Sequence, residues 1–514
     1  QNQLEMSRPV SQDTYNSLVR ENIDEFDMPP DEAIEDAVKQ LEAQKASIGL
    51  IVQDLPLYPE GRHPLVLAVN AVVLSADSVA TQTKDQLLSQ IGELSHQLAA
   101  GLPHRVLAAQ LRVAPALLSL ASEPSDSSVA CAALRCLRRL LKQQSDALNS
   151  DQLIGLLARA KLLAGVADTT ADGEVVVAEN AVAETGDACV EAEEEEAADE
   201  GTPESAAELT ALLGVLGSSC VLNEANRQLL VLNGLVPMLA RLMRTQPGRE
   251  ALICQACRLF RLLTLDDDVR AVVGQAHERA RQVMSETPAL ALLLRLCRRY
   301  NRPESARTVA RVFDTLACLA VRDEFCQRAL ELGACDFIVG AIYAHSQEPQ
   351  LAASGMGLLR NLARNDQVKR AAAEHLPVLL DVATKFAKQA PVAHQFLGLA
   401  ANLCLRQPAT ARRFAAELPG PALLSLLAAL HRPDSALMRQ LCLCVRNVAA
   451  RDDSADSGGL VRPALLAHGM ESLMNGLLAV CKDEAKAALL AMGCDVKFEP
   501  MLWTGKNGQL PRGD

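Results

Sequence analysis

Apolar positions in this chain recur at helical spacing, and the helices they mark recur as a unit. In Gly357-Leu358-Leu359-Arg360-Asn361-Leu362-Ala363-Arg364-Asn365-Asp366, the leucines at 358, 359 and 362 share one helix face. Asn365 and Asp366 leave a helix readily and can cap the next one, predicted over 367–374. Leu376-Pro377 breaks the pattern, and 378–386 reads as a further apolar helix. Cys220, Leu263, Leu319, Leu362, Leu403 and Val448 occupy equivalent places, 43, 56, 43, 41 and 45 residues apart. The long interval is assigned to a local insertion at 274–288. This periodicity predicts an all-α solenoid in which each repeat stacks on its neighbours.

The rest of the chain divides around that array. Residues 1–55 read as an N-terminal helical hairpin that caps the first repeat. Its first helix, over 13–26, has the face Tyr15, Leu18, Val19, Ile23 and Phe26. Its second opens at Pro30, with Ile34, Val38 and Leu41. Residues 65–165 are Ala/Leu-rich and read as divergent repeats, and 209–495 as clear ones. Between them, 166–208 has low apolar content and high charge and is expected to be a disordered acidic insertion. Residues 496–514 form a short tail with Trp503, the one tryptophan of the chain.

Composition adds two constraints. Aromatics make up only 3% of the chain against 49% hydrophobic residues, so the core is aliphatic, as tightly stacked helices require. The net charge of −13 is local, because 168–208 holds 15 acidic residues and no basic one, and the remainder carries +2. A basic excess of the kind that marks nucleic-acid binding is missing. Arg135, Arg138 and Arg139, and Arg295, Arg298 and Arg299, then read as solvated helix faces. The chain has 15 cysteines, and those inside aliphatic helices, such as Cys131, Cys136, Cys297, Cys318 and Cys404, read as small core residues of a reducing compartment. Cys254-Gln255-Ala256-Cys257 has no second pair at zinc spacing, so no metal and no cofactor are expected. No signal peptide or membrane span is expected either. The chain opens on Gln1, which leaves room for a leading segment.

A 40–47-residue helical period is shared by armadillo and HEAT arrays. Arg360-Asn361-Leu362-Ala363, Ala401-Asn402-Leu403-Cys404 and Arg446-Asn447-Val448-Ala449 resemble the third-helix motif of the armadillo family. Segments 19–26, 265–270, 322–327 and 502–505 together resemble the armadillo repeat-containing protein 6 family. The resemblance implies a right-handed superhelical array and an intracellular, non-enzymatic protein. In the nuclear-import adaptors of the wider family, a tryptophan precedes each third-helix asparagine by four. Here those positions are Gly357, Gly398 and Leu443, so classical import-signal recognition is not expected.

The function expected is a protein-interaction scaffold that holds an extended segment on the concave third-helix groove. Spacing of i and i+4 would set Asn361 beside Asn365, Asn402 beside Arg406 and Asn447 beside Arg451, with Arg322 equivalent in the preceding repeat. The asparagines would hold a partner's backbone. Their bland alternative is to tie neighbouring repeats together. Arg322, Arg360, Arg364, Arg406, Arg446 and Arg451 make the groove basic and suit an extended acidic peptide. The run Glu191–Glu196 would then be a tethered competitor. Nucleic-acid binding or a transport-adaptor role without classical signal recognition is the alternative. No HExxH, GxSxG or P-loop motif occurs, and His277 reads as a solvated surface residue, so an enzyme is not expected. A monomer is expected, cytoplasmic or also nuclear.

Overall fold

The computed structural model describes residues 8–78, 82–122, 126–165, 203–452 and 459–496. It is built of helices, apart from a parallel pairing of Arg8–Pro9 (β1) with Ala46–Ser47 (β2). Two compact units divide between Leu292 and Leu293. Among the described residues no single helix is long and apolar enough to cross a membrane. Trp503 and the Glu191–Glu196 run lie outside the described residues.

The first unit opens with α1 (Gln12–Asp24) and α2 (Pro30–Ala43). Ser11 caps α1 by accepting from the Thr14 N–H, and Pro30 opens α2. Tyr15, Val19, Ala33, Ala37, Leu41 and Ile51 form their shared core. Phe26, read from the sequence as part of this face, is 62% exposed, because α1 stops at Asp24. Asn22 takes an inward place instead and donates to the Ala33 carbonyl at 3.2 Å.

Helices then follow in stacked groups: α3 (Pro64–Asp77), α4 (Lys84–Ala99), α5 (Leu102–Gln110), α6 (Val113–Ser122), α7 (Ser127–Leu140), α8 (Ser150–Leu163) and α9 (Pro203–Ser219). The unit continues through α10 (Glu224–Leu232), α11 (Leu235–Thr245), α12 (Glu250–Leu263) and α13 (Ala276–Glu286) to α14 (Ala289–Arg299), in which the division falls. The long third helices α4, α7, α9 and α12 pack side by side. Thus α9, beyond the acidic segment, lies directly on α7 and α8, before it.

Two sequence boundaries change. The acidic segment was drawn to 208, but α9 begins at Pro203, and Glu208 is buried against Arg159. A carboxylate with a guanidinium partner can be buried where an isolated one would be excluded. The supposed insertion at 274–288 mostly holds α13, whose buried Arg279 ties it to the array. The extra chain is the loop before it.

The second unit repeats a three-helix pattern: α15 (Ala306–Leu319), α16 (Asp323–Glu331), α17 (Ala334–Ala344), α18 (Pro349–Leu362), α19 (Asp366–Glu374), α20 (Leu376–Lys385) and α21 (Ala390–Cys404). It ends with α22 (Pro408–Arg412), which runs into a π-helical turn at Arg413–Glu417, then α23 (Gly420–His431), α24 (Ser435–Ala449), α25 (Val461–Ala467), α26 (Met470–Leu477) and α27 (Lys482–Ala491). Here α15, α18, α21, α24 and α27 are the stacked third helices. Gly333 and Gly469 have φ of 69° and 73°, where a side chain would be strained, and they turn the first helix of a repeat into the second.

What locks one repeat to the next is a set of cations, all buried but the half-buried Arg462, at the carbonyl ends of third helices. Arg105 of α5 donates to the Leu98 carbonyl in the last turn of α4 at 3.3 Å. Arg227 of α10 donates to Cys220 O at 2.8 Å behind α9, and to Leu265 O at 2.7 Å just past α12. Arg279 of α13 reaches Leu263 O at 2.6 Å. In the second unit, Lys369 of α19 reaches Leu405 O at 3.3 Å, and Arg462 of α25 reaches Ala491 O at 2.9 Å. The last carbonyls of a helix lack intrahelical donors and carry the negative end of its dipole, so a cation there serves both needs.

Arg227 is the most deeply placed, 0% exposed, and it also faces Asp267 and Glu224. Arg227→Ala should therefore cost about 3–5 kcal/mol, as removal of one partner of a buried pair does. Arg328→Ala removes an exposed i,i+3 pair with Glu331 and should cost less than about 1 kcal/mol. Urea unfolding of both variants, followed by circular dichroism, checks the contrast. Equal midpoints would show that the carbonyl-end cations do not hold the stack.

Candidate protein-interaction face

The third-helix asparagines turn inward along the stack. Asn361 donates through Nδ2 to Ala317 O at 2.9 Å, Asn402 to Arg360 O at 3.0 Å, and Asn447 to Ala401 O at 3.1 Å. Each acceptor lies on the preceding third helix. The amides thus tie repeats together, which the sequence reading held as the bland alternative to backbone capture.

The i,i+4 stripe also dissolves. It assumed helix beyond the asparagine, but α18 ends one residue after Asn361, and α21 and α24 end two residues after Asn402 and Asn447. Asn365 is the buried N-cap of α19 and accepts from the N–H groups of Gln367 and Val368. Arg406 has φ of 61°, in the left-handed region. Arg451 lies past the end of α24, and Arg322 is the N-cap residue of α16. So Asn361, Asn402, Asn447, Arg360 and Arg446 stand on third helices, while Arg322, Arg364, Asn365, Arg406 and Arg451 stand at the helix ends.

Arg360 is the member of the set with the most informative surroundings. It is half-buried, and an added Cβ on Gly398 of α21 would come within 2.6 Å of its Cδ and 3.0 Å of its Nη1. The guanidinium therefore lies across the bare backbone of the next repeat. Burial, and then the like charge of Arg364, pull its pKa down. Its carbonyl accepts from Asn402, but its guanidinium has no hydrogen bond or carboxylate partner among the described residues. Burial, followed by Arg360, lowers the pKa of His394 on the same helix as Gly398. Arg446 by contrast is held by Asn447 Oδ1 at 3.2 and 3.3 Å, and Arg406 sits by Asp366, whose pKa Lys369 chiefly lowers.

Gln395 and Gln440 belong to this face, although the sequence reading passed over them. Gln395 lies over Gly357, 3.3 Å from an added Cβ, and Gln440 lies 3.4 Å from one on Gly398. Two of the three positions that would carry tryptophan in an import adaptor, Gly357 and Gly398, are thus open floors, crossed by long polar side chains of neighbouring repeats. The signal was available, since an isolated glycine inside a helical pattern marks close approach by another chain segment.

A second concavity, of about 500 Å³, is lined by Gln12, Asn16 and Arg20 of α1, by Tyr58 and His63, and by Gln110. His63 is buried, stacks edge-on to Tyr58 at 4.9 Å, and accepts from the Leu65 N–H. Its Nδ1 is therefore in use, and its Nε2 faces Asp54 Oδ1 at 3.4 Å. His277 is exposed on α13. Cys254 and Cys257 are buried in α12, and no group of three potential metal ligands occurs among the described residues.

The family model for the armadillo repeat-containing protein 6 N-terminal domain matches residues 7–85. An armadillo repeat-containing protein 6 homolog of Drosophila melanogaster is 29% identical over 370 residues, covering 71% of this chain and 70% of its own. The Homo sapiens armadillo repeat-containing protein 6 is 26% identical over 381 residues, covering 71% and 67%. The chain thus carries the N-terminal domain of armadillo repeat-containing protein 6 and is similar to proteins of that name along about 70% of its length. A solved structure titled for a phosphorylation switch between cadherin and beta-catenin aligns over 93% of this chain and 95% of its own, at 13% identity and a TM-score of 0.42. The family's N-terminal domain spans the α1–α2 hairpin, both short strands and α3. The hairpin and the helix after it therefore recur together in this family.

Asn361→Ala, Asn402→Ala and Asn447→Ala should each lower stability by about 0.5–1.5 kcal/mol, the loss of one hydrogen bond between repeats. Denaturant midpoints of the three variants check this. Unchanged midpoints would return the amides to ligand recognition. Removal of zinc by EDTA should leave the melting temperature unchanged, and a stoichiometric zinc signal by elemental analysis would overturn the core assignment of Cys254 and Cys257.

Proposed function

We propose that the chain is a non-enzymatic scaffold whose third-helix groove in the 293–514 unit binds an extended acidic segment of a protein partner. The observation that carries this reading is Arg360, a half-buried cation laid over Gly398 with no anion beside it. Desolvating a charge without compensation is costly. A partner's carboxylate arriving at Arg360 would supply the missing charge, and Arg364 would add to the field. An Arg–carboxylate pair can form two parallel hydrogen bonds, which gives geometric selection as well as energy.

The asparagines have a different part in this reading from the one their spacing suggests. Their Nδ2 donors are committed inside the array, so the side chains offered to a partner are Arg360, Gln395 and Gln440. Recognition rests on charge more than on backbone capture. Affinity should consequently fall as salt rises, since exposed pairs are screened over roughly 8 Å at physiological ionic strength.

The test is fluorescence anisotropy of a labelled Asp/Glu-rich peptide against the full chain. Arg360→Glu with Arg364→Glu should weaken binding at least about tenfold, the equivalent of 1.4 kcal/mol. Asn402→Asp, which changes an amide used internally, should reduce stability first. If the double charge reversal leaves affinity unchanged at low salt, the groove of this unit is not the acidic-peptide site.

A further inference from the structure

The first unit carries a comparable arrangement on α7, α9 and α12, where the sequence reading placed only solvated helix faces. α9 contains Gly214-Val215-Leu216-Gly217, with both glycines buried and one helical turn apart. Arg138 of α7 crosses Gly214 from one side, its Cδ 3.1 Å and its Nη1 3.3 Å from where a Cβ would stand. Arg258 of α12 crosses Gly217 from the other, its Nη1 at 3.4 Å. Two guanidiniums therefore converge on one bare stretch of helix backbone.

Neither has an anion among the described residues. Arg258 Nη1 is buried without a hydrogen-bond partner, and neither side chain makes a hydrogen bond or ion pair among the described residues. Burial first, and then Arg138, lowers the pKa of Arg258, so the two cations act on one another. Glu208, the acidic residue of α9 closest along the chain to Gly214, is already paired with Arg159. Gln255, one turn before Arg258 on α12, also has a buried side-chain oxygen with no partner. Like charges brought together over a low-polarity floor without a counter-ion make a site that favours two negative charges at once.

We infer that Arg138 and Arg258 form a second acidic-peptide site, which takes a Glu-x-Glu or Asp-x-Asp step of an extended partner segment, one carboxylate to each guanidinium. The spacing fits. Alternate side chains of an extended chain lie about 6.6 Å apart on one side, and residues a turn apart on a helix are separated by about 5–6 Å. Gly214 and Gly217 let both arginines lie low, so that the peptide can approach α9 closely. This site rests on the scaffold reading above but stands on different residues, in the other unit.

The probe is a fluorescein-labelled Gly-Glu-Gly-Glu-Gly-Glu peptide, with Gly-Gln-Gly-Gln-Gly-Gln as control, titrated into the full chain at low salt. Arg138→Glu with Arg258→Glu should weaken binding of the Glu peptide at least about tenfold, and the milder Arg138→Gln with Arg258→Gln should weaken it less. Circular dichroism confirms the fold of each variant, and the Gln pair keeps the test open if charge reversal impairs folding. A photo-crosslinking version of the peptide should attach to α7, α9 or α12. Unchanged affinity in the Arg360→Glu, Arg364→Glu chain with these crosslinks intact would count against the second-unit site alone. Unchanged affinity in both Arg138/Arg258 double variants, equal binding of the Gln control, or crosslinks confined to 293–514 would each overturn the first-unit site.

Discussion

A helix that ends inside a stack must satisfy carbonyls that its own geometry leaves open. In this protein the solution is a cation sent from a shorter helix of the neighbouring repeat. Arg227 shows the full device. It donates to the carbonyl behind one third helix and to another behind the next, while Asp267 and Glu224 balance its charge. Helix packing alone would let repeats slide along their ridges. A guanidinium that must meet two carbonyls 45 residues apart in sequence fixes the register. In the second unit the third-helix asparagines add another tie, each spanning one repeat.

This register has a consequence for the third-helix faces. With the repeats fixed, a side chain on one third helix can cross to the next only where that helix offers no side chain of its own. Gly214, Gly217, Gly357 and Gly398 supply such places, and Arg138, Arg258, Gln395 and Arg360 use them. Helix-interior glycine costs about 1 kcal/mol relative to alanine. At Gly398 that cost is coupled to the placement of Arg360, since alanine there would meet its Cδ at 2.6 Å. The glycines are therefore part of how the arginines are held, and a flat polar floor replaces the aromatic ridges of an import-signal groove.

The repeat period, the third-helix positions and most helix breaks were legible, because aliphatic residues at 3.6-residue spacing and glycines of positive φ state them directly. Leu263, Leu319, Leu362, Leu403 and Val448 are all buried at equivalent places. Less legible was the ending of each third helix, one or two residues past its asparagine. That difference moves Asn365, Arg406 and Arg451 off the helical face altogether. Arg227 and Arg279 were also opaque, since an arginine on a short polar helix reads as solvated until the carbonyl it reaches is known. That carbonyl lies at the far end of another repeat, and local periodicity carries no information about it. The acidic boundary shifted for the same reason, with Glu208 admitted to α9 by a guanidinium 49 residues earlier.

The two kinds of polar side chain on the third helices have opposite fates, and the difference separates structure from recognition. An asparagine is short, so its amide can reach only the adjacent helix, and a carbonyl there takes its donor. An arginine is long enough to cross that helix, and its five donors exceed what the helix backbone can accept, because interior carbonyls are already bonded within the helix. The guanidinium is left with unused donors and a charge that the neighbouring repeat cannot neutralise. In Arg446 a neighbouring amide oxygen takes part of that capacity. In Arg360, Arg138 and Arg258 no such oxygen is present among the described residues. Stacked repeats thus consume short amides, and an arginine such as Arg139 that finds a carbonyl, Ser95 O at 2.7 Å, is tied as well. Arg360, Arg138 and Arg258 are instead left over glycine, where the proposed acidic segment would complement them.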